Sequence, residues 1–273
     1  RHGAKTYNAG VRRPEHGTAD ALLANAEFVF APGATDVLVL HADHVYDFDY
    51  SDMIWEHRRS GAVATIGVQA IERRFVSLFG MVDVDEHLRV RSLVEKPIDP
   101  TSNLVFTAFA LFKADVLLNL LHFLAAGSAS SWQHDISRDV IPAMLANGDY
   151  VRAYPVRGFW ADIGTVERYH LGHMRLIDAP ADLEPERRPR TLGPWVPAQT
   201  SRGVAVGQVS VEGDVGHSFL YDGARVGKRA FVADSIILPG GKVASGVTVR
   251  DSIVSQNEVV VEDRIGMTTL GVR

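Results

Sequence analysis

The chain has 273 residues, a net charge of -5 from 28 basic and 33 acidic side chains, and no cysteine. At 46% hydrophobic and 22% charged residues it is long and apolar enough for one large or two modest globular domains, which excludes a disordered or fibrous chain. The acidic balance argues against nucleic acid or an anionic membrane as partner. The missing thiols exclude disulfides and thiolate zinc sites and fit a reducing cytoplasm, and Lys113 and Asp115 interrupt the longest apolar run, 104–126, short of a membrane span.

In chain order, Thr18 is placed to cap a helix whose apolar positions Ala19, Leu22, Leu23, Ala26 and Phe30 follow helical spacing until Pro32 and Gly33 break it. The β-branched run at 36–40 predicts a buried parallel strand. A polar cluster at 41–49 follows, then a helix near 50–59 and a strand at 62–70. Segments 79–85 and 88–94 read as a hairpin turning at Glu86 and His87. A strand at 104–112, helices at 114–125 and 135–146, a strand at 150–156 and a helix at 165–177 complete the alternation. That order predicts an α/β domain over residues 1–178 with a Rossmann-like, mostly parallel sheet.

Residues 179–202 hold Pro180, Pro185, Pro189, Pro194 and Pro197, and predict an extended linker packed through Leu192, Trp195 and Val196. Beyond it, aliphatic residues recur at Leu220, Val226, Val232, Leu238, Val243, Val249, Val254 and Val260, with glycines between. One aliphatic in each hexad predicts a hexapeptide-type parallel β-helix over residues 203–273; a valine-rich sandwich, the alternative, favours period two and longer strands.

Several polar positions invite chemistry. Asp43 follows the strand 36–40, where parallel sheets bind ligands; it serves either as a hard oxygen ligand for Mg2+ or as a loop acid capping the next helix. His41 and His44 have H-x-x-H spacing but no evident third zinc ligand. Asp162 lies in a loop before Gly164 and Thr165, the latter a helix cap. Glu95 and Lys96 end the hairpin, either as a sugar-hydroxyl acceptor and a phosphate cation or as an exposed turn. Gly17 opens a helix, to admit a ligand or simply as its cap. His170 and His173 read as surface residues of one helix face. Gly240, Gly241 and Lys242 lack the spacing of a phosphate loop.

Taken in order, G-T-A-D-A at 17–21, D-H-V-Y at 43–46, E-K-P at 95–97, H-D-I at 134–136 and W-A-D-I-G-T at 160–165 resemble glucose-1-phosphate adenylyltransferase (ADP-glucose pyrophosphorylase), across about residues 15–260. The resemblance implies a nucleotidyltransferase domain followed by a left-handed parallel β-helix. It also implies attack of glucose 1-phosphate on the α-phosphorus of ATP, forming ADP-glucose and pyrophosphate for glycogen or starch. Asp43 and Asp162 would hold Mg2+, Lys96 the sugar phosphate and Glu95 the glucose hydroxyls, with Gly17 and Thr18 against the nucleotide. A cytoplasmic homotetramer or heterotetramer would be built through the β-helix.

The sequence departs from that family in places. The family's G-G-x-G-x-R-L loop lies about a hundred residues before G-T-A-D-A, whereas sixteen residues precede Gly17 here and the first is Arg1 rather than Met. Three expectations follow: a fragment of a longer enzyme, inactive alone; a short homologue or non-catalytic regulatory subunit paired with a full-length one; or an inactive relic. Phe106, Thr107, Ala108 and Phe109 stand where the family usually shows a small polar residue and a Met-Gly pair, and their bulk is expected to narrow the glucose pocket or change the sugar accepted, leaving other sugar 1-phosphates and nucleobases open. Pro14, Glu15 and His16 replace an aromatic, and Ala42 replaces a glycine.

Overall fold

The computed structural model describes residues 16–47, 49–127, 132–178, 197–200 and 203–267. In order, the first elements are α1 (Thr18–Ala24), α2 (Ala26–Val29), β1 (Asp36–Leu40), β2 (His44–Asp47), α3 (Ser51–Ser60), β3 (Ala64–Ala70), β4 (Gly80–Val84), β5 (Val90–Glu95) and β6 (Leu104–Lys113). Then come α4 (Ala114–Ala126), a π-helical turn (Ile136–Val140), α5 (Ile141–Ala146), β7 (Val151–Pro155), β8 (Phe159–Asp162) and α6 (Val166–Asp178). The chain divides into two compact units, one of Arg1–His41 with Asp49–Arg157, the other of Ala42–Phe48 with Gly158–Arg273.

The first unit is organised by β6, whose ten residues are nearly all buried, as a continuous apolar run requires when helices cover both faces. It pairs antiparallel with β1, β3 and β4, while β3 pairs parallel with β7 and β4 antiparallel with β5. Strands β1, β3, β4 and β7 therefore share one direction against β5 and β6. The parallel set inferred from the alternation is present, yet most of its hydrogen bonds pass through an antiparallel intermediary. The core joins Ile66, Val68 and Phe112 of the sheet to Leu117, Leu121, Ile141 and Met144 of the helices.

Sequence expectations are corrected at several places in residues 16–178. Thr18 does not cap its helix: Gly17 stands at the N-cap, and Thr18 Oγ1 accepts from Ile136 N instead. The first helix is two, separated at Asn25, whose side-chain amide donates to Ala21 O at 2.9 Å. Strand β1 is only half-buried, with Leu40 44% exposed, and bonds antiparallel to β6. The loops around Asp43 and Asp162 contain β2 and β8, which pair with each other. Each is four residues long, too short for its periodicity to stand out.

In the second unit, the strands from β10 (Gly203–Val206) onward stack as parallel ladders on three sides of a β-helix, with β9 (Pro197–Thr200) antiparallel against β10. Leu220, Ile237 and Val254 stack in one column and Val226, Val243 and Val260 in another. Ser235 N donates to Ser218 Oγ and Ser252 N to Ser235 Oγ, each pair 17 residues apart. A central coil is thus 17 residues, a residue short of three hexads, whereas Gly203 with Ser218, Ser210 with Arg225 and Val249 with Arg264 pair 15 residues apart at the ends. The shortening of the central coil corrects the reading of Leu238, since Ile237 is the buried residue of its hexad and Leu238 only half-buried. The proline-rich stretch 179–196, with Leu192, Trp195 and Val196, lies outside the described residues.

Helix α6 lays Met174 against Phe219, Ile236 and Ile253 of the β-helix. His173, expected at the surface, is half-buried there, with Nδ1 donating to Tyr169 O at 2.9 Å and Nε2 accepting from the Tyr221 hydroxyl at 2.8 Å. His170 Nε2 reaches Asp234 O at 2.7 Å. Loss of hydration holds His173 below the usual imidazole value of 6.5, more than offsetting the Tyr169 hydrogen bond.

Two measurements check these features. Ile237→Ala should cost about 2–5 kcal/mol in urea unfolding and Leu238→Ala less, because only Ile237 leaves a cavity inside the coil. A base whose pKa falls on folding contributes stability that is fully present above its unfolded pKa and is lost as pH drops through and below that value. Thermal stability should therefore decline as pH falls from about 7 to about 5, and less steeply in His173→Gln.

Candidate active site

Two constellations hold the chemically promising residues, one in each unit. In the first, β5 delivers Glu95, and Lys96 follows at a φ of 48° with its N–H bonded to Phe79 O at 3.0 Å. The Lys96 side chain is 57% exposed, with Nζ 3.9 Å from Glu95 Oε1, so its ammonium is available to an anion. Glu95 Oε2 lies 3.1 Å from Ser137 Oγ, whose hydroxyl also lies 2.7 Å from Asp135 Oδ1. Asp135 caps the π-helical turn by accepting from Ser137 N and Arg138 N. Thr18 Oγ1 accepts from Ile136 N at 2.9 Å and sits 3.3 Å from Asp135 Oδ2.

Gly17 belongs to the same knot. A Cβ there would collide with the His134 carbonyl oxygen, which also accepts from Ala19 N. Internal packing therefore already demands glycine at this position. Asp135, within the H-D-I motif, and Ser137 carried no assigned role in the sequence; the local signal for both is the Asp-x-Ser pattern of a side-chain-capped turn. Phe109, from the segment expected to alter the sugar pocket, is fully buried, with its ring over Gly67 and edge-on to Tyr50 at 5.7 Å. Gly67 is required because a Cβ would overlap that ring.

The second constellation rests on the β2–β8 ribbon. Antiparallel register sets His44 opposite Asp162 and Tyr46 opposite Trp160, and Ile163 N donates to Asp43 O at 3.0 Å. Asp162 is 11% exposed; Oδ1 accepts from Gly164 N at 2.8 Å and Oδ2 from Arg168 Nη1 at 2.6 Å. Thr165 Oγ1 accepts from Arg168 N at 3.2 Å, the helix cap expected from the sequence, and this places Arg168 on the first turn of α6. Asp43 is 63% exposed. A Cβ on Gly164 would lie 3.1 Å from Asp162 Oδ1 and 3.4 Å from Asp43 Oδ2, so the two carboxylates converge on one glycine. Two hard oxygen donors converging at a bare backbone position fit a small divalent cation such as Mg2+, which takes one or two carboxylates and keeps water or phosphate as its other ligands.

Residues 3–179 match the family Nucleotidyl transferase, and residues 197–269 match the family described as GlmU-like, C-terminal hexapeptide. The chain is 50% identical over 226 residues to a valienol-1-phosphate guanylyltransferase of Streptomyces hygroscopicus subsp. limoneus, covering 79% of this chain and 60% of that protein. It is 32% identical over 257 residues to the glucose-1-phosphate adenylyltransferases of Bacillus thuringiensis (strain Al Hakam) and Bacillus anthracis, covering 90% of this chain and 68% of each. The chain belongs to the nucleotidyl transferase family and carries a hexapeptide β-helix behind that domain. Among the described residues, no helix is long and apolar enough to cross a membrane.

Gly164→Ala should preserve the fold, since its Cβ meets side-chain oxygens rather than backbone, yet push the carboxylates apart. Mn2+ titrations followed by electron paramagnetic resonance should show weaker binding than in the unaltered chain.

Proposed function

We propose that this chain carries the cation-binding and sugar-phosphate-binding parts of a sugar- or cyclitol-1-phosphate nucleotidyltransferase. The convergence of Asp43 and Asp162 on Gly164 carries this reading, because nucleotidyl transfer depends on placing and neutralising phosphate charge rather than on a covalent protein intermediate. Asp43 and Asp162 would hold Mg2+, which supplies charge neutralisation to the nucleotide phosphates when bound. Lys96 offers its exposed ammonium to the 1-phosphate group, and Glu95, steadied by Ser137, accepts hydrogen bonds from ring hydroxyls. The 1-phosphate oxygen then attacks the α-phosphorus of a nucleoside triphosphate, and pyrophosphate leaves.

The higher identity to the valienol-1-phosphate guanylyltransferase favours GTP and a cyclitol phosphate as substrates. ADP-glucose formation from ATP and glucose 1-phosphate is the second reading, supported by the order of the motifs and by the 32% identity to glucose-1-phosphate adenylyltransferases. Assembly through the β-helix belongs to the same proposal.

Isothermal titration of the 273-residue chain with valienol 1-phosphate and glucose 1-phosphate separates the readings, the tighter ligand naming the acceptor. Lys96→Ala should weaken binding of either by about tenfold or more, the worth of one charge-assisted hydrogen bond. Unchanged affinity in that variant would remove Lys96 from the phosphate site.

A further inference from the structure

One shielded side chain stands between the two carboxylates with no role so far. His44 is 8% exposed, and its register opposite Asp162 puts it on the same face of the β2–β8 ribbon as Asp162 and Trp160. Trp160 Nε1 donates to His44 Nδ1 at 2.9 Å. An indole nitrogen only donates, so Nδ1 is the bare nitrogen of the ring and the hydrogen sits on Nε2. That Nε2 is almost equidistant from the two carboxylates, 3.9 Å from Asp43 Oδ1 and 4.0 Å from Asp162 Oδ2.

We infer that His44 is a positioning residue, locked by Trp160 as its Nε2–H tautomer, whose N–H orients Asp43 and Asp162 toward a shared divalent cation. The inference rests on reading those carboxylates as cation ligands. The separations exceed a direct hydrogen bond, and the N–H reaches either carboxylate through a small rotation of the exposed Asp43 side chain or through one bridging water. Asp162 is already held by Gly164 N and Arg168, and the Asp43 backbone carbonyl accepts from Ile163 N, so His44 supplies the tie between the two side chains. A neutral donor suits that place. It aligns the oxygens without offsetting the negative charge that attracts the cation, whereas Arg168 already places one positive charge on Asp162.

Long-range 1H–15N NMR of the imidazole rings in the full chain reads the tautomer directly, with His44→Phe assigning the signal. The Nε2–H pattern is expected, turning into a tautomer mixture in Trp160→Phe. Mn2+ binding by electron paramagnetic resonance should weaken about tenfold in His44→Phe, less in Trp160→Phe, and recover in His44→Gln, whose amide N–H takes the place of Nε2. Circular dichroism checks folding, and Trp160→Phe and His44→Gln carry the test if His44→Phe does not fold. An Nδ1–H pattern in the unaltered chain overturns the inference. So does undiminished Mn2+ binding by His44→Phe while Asp43→Asn loses it, an outcome that leaves the cation site standing. Mn2+ binding absent from the unaltered chain and Asp43→Asn alike removes the cation site, and the inference with it.

Discussion

Two four-residue strands, β2 and β8, place the acidic residues of the second constellation, and their register is the constraint on which that site depends. Trp160 and His44 are 116 residues apart in sequence, yet antiparallel pairing puts them on one face with Asp162. Side chains alternate along a strand, so a slip of one residue would turn Asp162 away from His44 and from Asp43. The hydrogen bond from Ile163 N to Asp43 O secures the end of the ribbon, and the Thr165 cap then starts α6 where Arg168 can reach Asp162. Gly172 lets α6 approach β8 closely, with Ala161 and Ile163 filling the space a side chain would take.

The first constellation is organised differently. Its donors and acceptors are bound to one another before any ligand arrives: Thr18 with Asp135 and Ile136, Ser137 with Asp135 and Glu95, Asp139 with the backbone of Gln133 and Asp135. Such a network fixes the carboxylate of Glu95 while leaving the Lys96 ammonium in solvent. Rigid acceptors beside an exposed cation give the division of labour on which the proposed function rests: orientation from the former and charge from the latter.

Much of this was legible in the sequence because it is written in local periodicity. The continuous apolar run of β6, the capped α6 and the hexads of the β-helix each repeat a pattern that one element imposes on its own residues. Where the pattern was interrupted, reading failed. The coil of 17 residues shifts one hexad by a residue, so Ile237 rather than Leu238 fills the interior, and adjacent aliphatics cannot be told apart without the ladder that stacks them. His173 looked like a surface residue because helix polarity alone does not reveal that Phe219 and Tyr221 cover it.

By itself the sequence determined the α/β domain, the β-helix and the short motifs on which the proposed function draws, since these follow from spacing and composition over short stretches. Only the tertiary structure decided which of those residues meet. The convergence of Asp43 and Asp162 on Gly164, the capture of Glu95 by Ser137 and the tautomer of His44 depend on partners distant in sequence, and such contacts arise from strand register and packing rather than from any local pattern.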